Sequence, residues 1–303
     1  MVINLRVLSL SQNNLHGEIP REIGRLVKLQ QLDLSYNHLT GQIPQEVGGL
    51  TSLTIFDLSW NKLNGQIPWS VSQLTSLQKL DLSSNLLSDK IPSQFGNLEK
   101  LVLLDLSHNS ITGPIPETLS GLKELQYFLI ENNPIQARIP LFLGSLKKLA
   151  VVGLSGCGLL GPIPTYLGSL QGLTALALDR NRLNGSVPSS LGALPRLGQL
   201  NVSQNQLSGE IGFGEDFVSR LGKRLDVRDN KGLCTNFQQV SLLLETPPCL
   251  DSPPASGVRP AATRGRPPSN NEEQSNVSSC SSPLCSLCSL MSAVIFVVTS
   301  VLS

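Results

Sequence analysis

Apolar residues recur along this chain with a fixed beat. Leu5, Leu29, Leu53, Leu77, Leu101, Leu125, Leu149, Leu173 and Leu197 stand at an unbroken interval of 24 residues. Three residues after each comes a second apolar position: Leu8, Leu32, Phe56, Leu80, Leu104, Phe128, Val152, Leu176 and Leu200. Within each unit positions one, four and six are apolar, while three, five and seven mostly are not. That is the period-two signature of a short, half-buried strand. Position nine is Asn13, Asn37, Asn61, Asn85, Asn109, Asn133, Cys157, Asn181 and Asn205. There the strand must turn, and a buried amide can satisfy backbone groups that the turn leaves over. Gly near position 13 permits unusual dihedrals, and Ile-Pro at 15–16 keeps the return segment extended.

The apolar residues of one unit cannot offset the entropy of ordering its 24 residues, so each unit depends on stacking with its neighbours. Stacked strands about 4.8 Å apart would give a parallel sheet roughly 40 Å long over nine units. The expected fold is an α/β repeat solenoid with a parallel β-sheet on its concave face, where positions two, three, five, seven and eight project. Such a face is broad and rigid, and suits extended peptides or the flank of another protein.

Composition narrows the function. The chain has 303 residues, 23 basic against 22 acidic and a net charge of +1, which offers no general attraction to nucleic acid. No Ser/His/Asp, metal-ligating or phosphate-cradling arrangement is apparent, so neither an enzyme nor a cofactor site is expected. His16, His38 and His108 fall at positions 12, 10 and 8 of different units and read as scattered, solvated residues. Cys157 substitutes for Asn at position nine and reads as structural. Cys285 and Cys288 form a CxxC without a second pair.

The inner face divides into two zones. Position five carries Asp33, Asp57, Asp81 and Asp105 in units two to five. These carboxylates either solvate the sheet and bond neighbouring Ser hydroxyls, or form an acidic strip for a basic ligand. In units five to eight apolar residues take over: Val102, Leu103, Tyr127, Leu129, Val151, Ala175 and Ala177. Exposed apolar groups set side by side mark a contact surface; the alternative is drifted repeats that tolerate small apolar residues. The same zone departs from the consensus at Pro134, Ala137 and Gly156-Cys157-Gly158.

Units such as LDLSYNHLTGQIPQEVGGL resemble the plant extracellular leucine-rich repeat, whose G-x-I-P feature is specific to that class. The class includes receptor kinases, kinase-less receptor-like proteins and polygalacturonase-inhibiting proteins. The segments LQYFLIENNP (Leu125–Pro134) and LGKRLDVRDNKGLC (Leu221–Cys234) are most similar to the small receptor-like proteins grouped with TOO MANY MOUTHS. The resemblance implies a leucine-rich-repeat horseshoe, with nine repeats over 1–221 and a partial tenth with a cysteine cap over 222–250. In that cap it implies a disulfide between Cys234 and Cys249; two free thiols are the alternative. It also implies a signal peptide and N-terminal cap, which this sequence lacks. The opening MVINLRVLSL taken alone suggests a cytosolic chain, whereas the family reading suggests a truncated gene model.

Residues 251–283 turn to Pro, Ser, Asn and charge, as in an extended disordered linker. Residues 284–302 are uncharged, LCSLCSLMSAVIFVVTSVL, barely long enough for a membrane span and without cytosolic Lys or Arg after it. Small residues before them resemble a glycosylphosphatidylinositol signal, so 284–303 reads as a lipid-anchor signal or a span on the extracellular face of the plasma membrane. Asn184, Asn201 and Asn276 begin glycosylation sequons, and a glycan on Asn201 would block one end of the inner face. The resemblance thus implies a receptor-like binding protein without a kinase, whose partners are a leucine-rich-repeat receptor kinase ectodomain and a secreted peptide. The alternative is a soluble inhibitor of a pathogen's polygalacturonase.

Overall fold

The computed structural model describes residues 4–236, 241 and 244–249. Its spine is an all-parallel sheet of ten strands in chain order, from Val7–Ser9 through Tyr127–Leu129 to Leu225–Asp226. The repeat predicts nine strands; the tenth comes from the partial last repeat, whose Leu225 pairs with Leu200. Strands are in register by repeat position, Leu8 with Leu32, Leu32 with Phe56 and Phe128 with Val152, so position four forms one continuous buried row. Leu32, Phe56, Leu80, Leu104, Phe128, Leu176 and Leu200 are fully buried, whereas Leu8 is only partly so. Among the described residues, repeat one stacks against a neighbour on one side alone.

Position nine holds the turn together as the sequence suggests. Asn61 Nδ2 donates to the carbonyls of Leu34 and Leu58 at 3.0 and 3.1 Å, while its Oδ1 accepts from Leu39 N at 3.0 Å. From Asn37 onward each Asn therefore links its own turn to that of the preceding repeat, and its amide is fully used where little water reaches, whereas exposed Asn13 bonds only within its own turn. At Cys157 the thiol keeps one of these links, donating to Ile130 O at 3.2 Å. Burial pushes the Cys157 thiol up to about 12, which leaves it un-ionised and structural.

The convex side is built from five-residue 3-10 turns, Arg21–Arg25 to Ser189–Ala193, each entered through a proline such as Pro20 (φ −68°, ψ 137°). Proline has the fixed φ this entry needs and no N–H to leave unpaired. In the ninth repeat a true α-helix, Glu215–Leu221, replaces the turn.

Between strand and turn, short parallel ladders form a flank, and their register differs from that of the main sheet. His16 pairs with His38, and Asn64 with Leu86, each 22 residues apart rather than 24. The two histidines expected to be scattered are therefore strand partners, both exposed. His108 lies elsewhere, partly buried at the loop edge of the sheet. Repeat six has no flanking strand. Pro134 stands where Lys62 and Leu86 donate their N–H to the carbonyls of Leu39 and Leu63, and proline has nothing to donate.

At the C-terminal end Cys234 and Cys249 are joined by a disulfide with Cα atoms 4.8 Å apart, as the family resemblance implies. No helix among the described residues is long and apolar enough to cross a membrane. The linker 251–283, the tail 284–303, Asn276, Cys285 and Cys288 lie outside the described residues.

Candidate functional site

The concave sheet brings all seven apolar candidates together. Leu103, Tyr127, Val151 and Ala175 form one column of strand partners; Leu129, Gly153 and Ala177 form a second beside it. Val102 lies at the edge, partly buried. The expectation of exposure needs correcting, however. Leu103, Tyr127, Leu129, Val151, Ala175 and Ala177 are each between 4% and 8% exposed. Parallel strands stand about 4.8 Å apart, so side chains in one column cover one another's flanks and show only their tips. Gly153 helps: a side chain there would run into Leu129 Cδ2 at 3.0 Å and Glu131 Oε1 at 2.5 Å, so both residues already fill its place. The zone is a close-packed apolar pavement. Tyr127, its hydroxyl pushed up by burial, is its largest member.

A polar rim borders the pavement on the loop side. Glu131 takes position seven, where most repeats have Ser; burial and Asp179 push its carboxyl up to about 7, against the opposing pull of Arg180. Asp179 accepts from Ser155 Oγ at 2.5 Å and pairs with Arg180 at 3.0 Å. The Asn132 amide lies 3.3 and 3.4 Å from the two His108 ring nitrogens; burial and Arg180 hold His108 below the usual imidazole range. An apolar centre with a polar border is the common layout of a protein-binding patch.

The aspartate half is arranged differently. Asp33, Asp57 and Asp81 each accept from the backbone N–H two residues on, at 3.1–3.2 Å, and from that Ser hydroxyl at 2.7 Å. Asp105 takes the same bond from Ser107 N at 2.9 Å. The carboxylates thus brace the turn out of the strand, as Asx side chains do. Lys79, at position three, reaches Asp57 at 2.7 Å and Asp81 at 3.6 Å. Burial alone would lower Lys79, but Asp57 and Asp81 hold it up. Burial, followed by Asp105 and Asp57, pushes Asp81 well above the usual carboxylate range, and burial does the same to Asp105. Of the two readings left open for this ladder, bonding to neighbouring Ser residues is the one these contacts support.

Sequence reasoning missed one pair. Tyr36 and Trp60, at position eight of repeats two and three, stack with centroids 5.3 Å apart and planes within 7°. They are 48% and 45% exposed, and both sit in the left-handed region at φ 52° and 55°. The turn imposes that conformation on position eight of every complete repeat, Gly156 included. It suits Gly or Asn far better than an aromatic, at a cost of roughly 1–2 kcal/mol for ordinary residues. The signal was two bulky aromatics 24 residues apart at an outward position.

Of the sequon residues, Asn184 is exposed on the flank. Asn201 lies on the concave sheet, its Oδ1 accepting from Ser203 N and Oγ at 3.1 and 2.8 Å.

A ladder of in-register strands, an asparagine row at the turn and proline-entered convex turns define the leucine-rich-repeat class. The chain belongs to that family. A leucine rich repeat model matches residues 75–135 and a leucine-rich repeat region model matches residues 1–88. Among curated protein sequences none matches. Among solved structures, a plant ice-binding protein is 32% identical with a TM-score of 0.69, over 82% of this chain and 76% of that one. The plant peptide hormone receptor RGFR1, in complex with RGF2, is 33% identical with a TM-score of 0.64, over 76% of this chain and 43% of the receptor's. The Arabidopsis receptor kinase HAESA, in complex with the peptide hormone IDA and the co-receptor SERK1, is 28% identical with a TM-score of 0.59, over 78% and 51%. The chain thus spans about half or less of the receptor chains it resembles.

Proposed function

We propose that this protein is a receptor-like binding protein of the plant cell surface, without a kinase of its own. Its concave sheet binds a secreted peptide, a receptor kinase ectodomain, or both. The observation that carries the reading is the pavement of Leu103, Tyr127, Leu129, Val151, Ala175 and Ala177 inside its polar rim. Its side chains are ordered before any partner arrives, so little freedom remains to be lost on binding. The likeness to RGFR1 and HAESA, solved with peptide hormones, supports a peptide as partner. On this reading 284–303 holds the protein outside the cell by a lipid anchor or a span, and exposed Asn184 carries a glycan. Kinship with the TOO MANY MOUTHS group fits the same picture.

The test is capture of a panel of receptor kinase ectodomains by the purified full-length chain. Tyr127→Phe keeps the packed ring and removes only the hydroxyl, while Tyr127→Ala removes the anchor. The alanine variant should weaken capture by roughly tenfold or more, as at other interface hot spots. Asp33→Asn should leave capture nearly unchanged. If the aspartate change abolishes capture and both tyrosine changes are silent, the partner uses the other half of the sheet.

The ice-binding neighbour suggests a second reading. Recognition of a crystal plane requires one residue type repeated at lattice spacing. The exposed flank instead presents unlike residues along its rows, Gln42, Asn64 and Leu86 in one and Arg138, Leu160 and Arg182 in another. A freezing-point depression beyond the colligative value would reverse that preference.

A further inference from the structure

The stacked pair Tyr36–Trp60 has no role in the core and does not touch the pavement of repeats five to eight. Its surroundings define a specific vacancy. Position-eight backbones form a continuous ladder: Trp60 N donates to Ser83 O at 2.9 Å, Ser84 N to Ser107 O at 2.8 Å and His108 N to Glu131 O at 2.7 Å. Side chains at 36, 60, 84 and 108 therefore stand on successive rungs about 4.8 Å apart. Tyr36 covers one face of Trp60. On the ladder the next rung after Trp60 carries only the short side chain of Ser84, and two rungs, about 9.6 Å, separate Trp60 from His108.

The formal charge around this rung is mostly negative, although Arg180 of repeat eight acts on His108 and Glu131 at its far side. Concave positions of repeats two to six carry Asp33, Asp57, Asp81, Asp105 and Glu131 against Lys79 alone. Lys79 leans toward Asp57 at 2.7 Å and stays 3.6 Å from Asp81, in the repeat that holds Ser84. The crowding that raises Asp81 comes from burial and from Asp105 and Asp57, and an arriving cation relieves it.

We propose that the Ser84 rung, between Trp60 and His108, receives the guanidinium of an arginine in an extended partner peptide, stacked on the open face of Trp60. Guanidinium is planar, weakly hydrated and stacks on aromatic faces; an ammonium group is a compact, strongly hydrated point charge. The rung therefore selects arginine over lysine, while the carboxylates select a cation over a neutral planar group. The inference rests on the peptide-binding reading above and names the chemistry of the peptide.

The experiment uses the full chain with Trp69→Phe, which leaves Trp60 as the sole tryptophan of the two in the sequence. Three capped peptides differing only in one side chain, arginine, lysine or citrulline, are titrated against Trp60 fluorescence. The arginine peptide should bind about fivefold more tightly than either twin, the scale expected of a partly exposed cation–π contact. Ser84→Phe should abolish that preference by filling the rung; its backbone, at φ 53°, can hold an aromatic, since Tyr36 and Trp60 do so at 52° and 55°. Circular dichroism confirms that the variant is folded. Equal binding of arginine and lysine peptides, or no effect of Ser84→Phe, overturns the proposal. So does the absence of arginine binding at millimolar concentration, or quenching of Trp60 by cellohexaose in its place. Receptor-ectodomain capture on the same chain separates the two readings. Capture without an arginine response sinks this inference alone, and an arginine response without capture sinks the receptor reading alone.

Discussion

Repeats two to five and repeats five to eight share one backbone and one core, yet use the concave face in opposite ways. In the first half the outward groups are polar and mostly spoken for: each aspartate braces its own turn, and Lys79 ties two of them together. What remains free there stands at the edge, in the stacked rings of Tyr36 and Trp60. In the second half the central outward groups are apolar and, inside a polar rim, pack sideways into a continuous surface. A face made of hydrogen bonds is local, because each aspartate's bonds to its turn end within one repeat and Lys79 alone reaches across to the repeat before it. A face made of side-chain packing is collective, because each residue relies on repeats on either side.

That contrast can be broken by placing a charge in each half. Leu129→Asp puts an unpaired carboxylate beside Gly153 and Glu131 in the packed zone, and should cost about 3 kcal/mol, read as a lowered urea midpoint. A midpoint equal to that of the unaltered chain would mean that the pavement is not packed as described. Lys79→Met removes the tie between Asp57 and Asp81, whose partners are 20%, 12% and 17% exposed. Water and the Ser hydroxyls take up part of the loss, so about 1 kcal/mol is expected, falling with added salt. A loss as large as that of Leu129→Asp would show the polar half to be collective too.

The smallest effect concerns the rim. The fold raises Glu131 from 4.5 to about 7, so the folded state binds its proton more tightly than the unfolded chain does. Its contribution to stability is then fully present below about pH 4.5 and is lost as pH rises through about 7. Thermal midpoints between pH 5 and 7.5 should fall with pH, and Glu131→Gln should flatten part of that fall. Asp81 and Asp105 are shifted in the same direction and keep the remainder. An unchanged slope in Glu131→Gln would place the carboxyl in open water.

The strands, the buried row through Phe56 and Phe128 and the turn-closing asparagines were legible in the sequence, because each follows from a residue's own position in the repeat. The exposure of Tyr127 was not. Its burial is set by Leu103 and Val151, residues that adjoin it only after the repeats stack. Tyr36 and Trp60 were in plain view at position eight, but an outward aromatic looks like decoration until the ring planes are known to align. The Cys234–Cys249 bond was anticipated through family resemblance; the Cys spacing alone left free thiols open.

The flank carries a consequence of its own. Because its strands pair 22 residues apart while the repeat is 24, and at the last ladder 24 apart against 25, rows there run on a bias, like cloth cut across the weave. Gln42 adjoins Asn64, and Asn64 adjoins Leu86, so a single row visits three repeats at three different repeat positions. Arg138, Leu160 and Arg182 make another such row. A map of this surface drawn by stacking repeats in columns would put true neighbours in separate columns, and the histidine pair His16 and His38 would vanish from it. Two coordinate systems are therefore woven into one array: an orthogonal grid on the inner face and an oblique one on the flank. A patch assembled on the oblique grid can draw unlike residues from successive repeats without altering the periodic text that folds them.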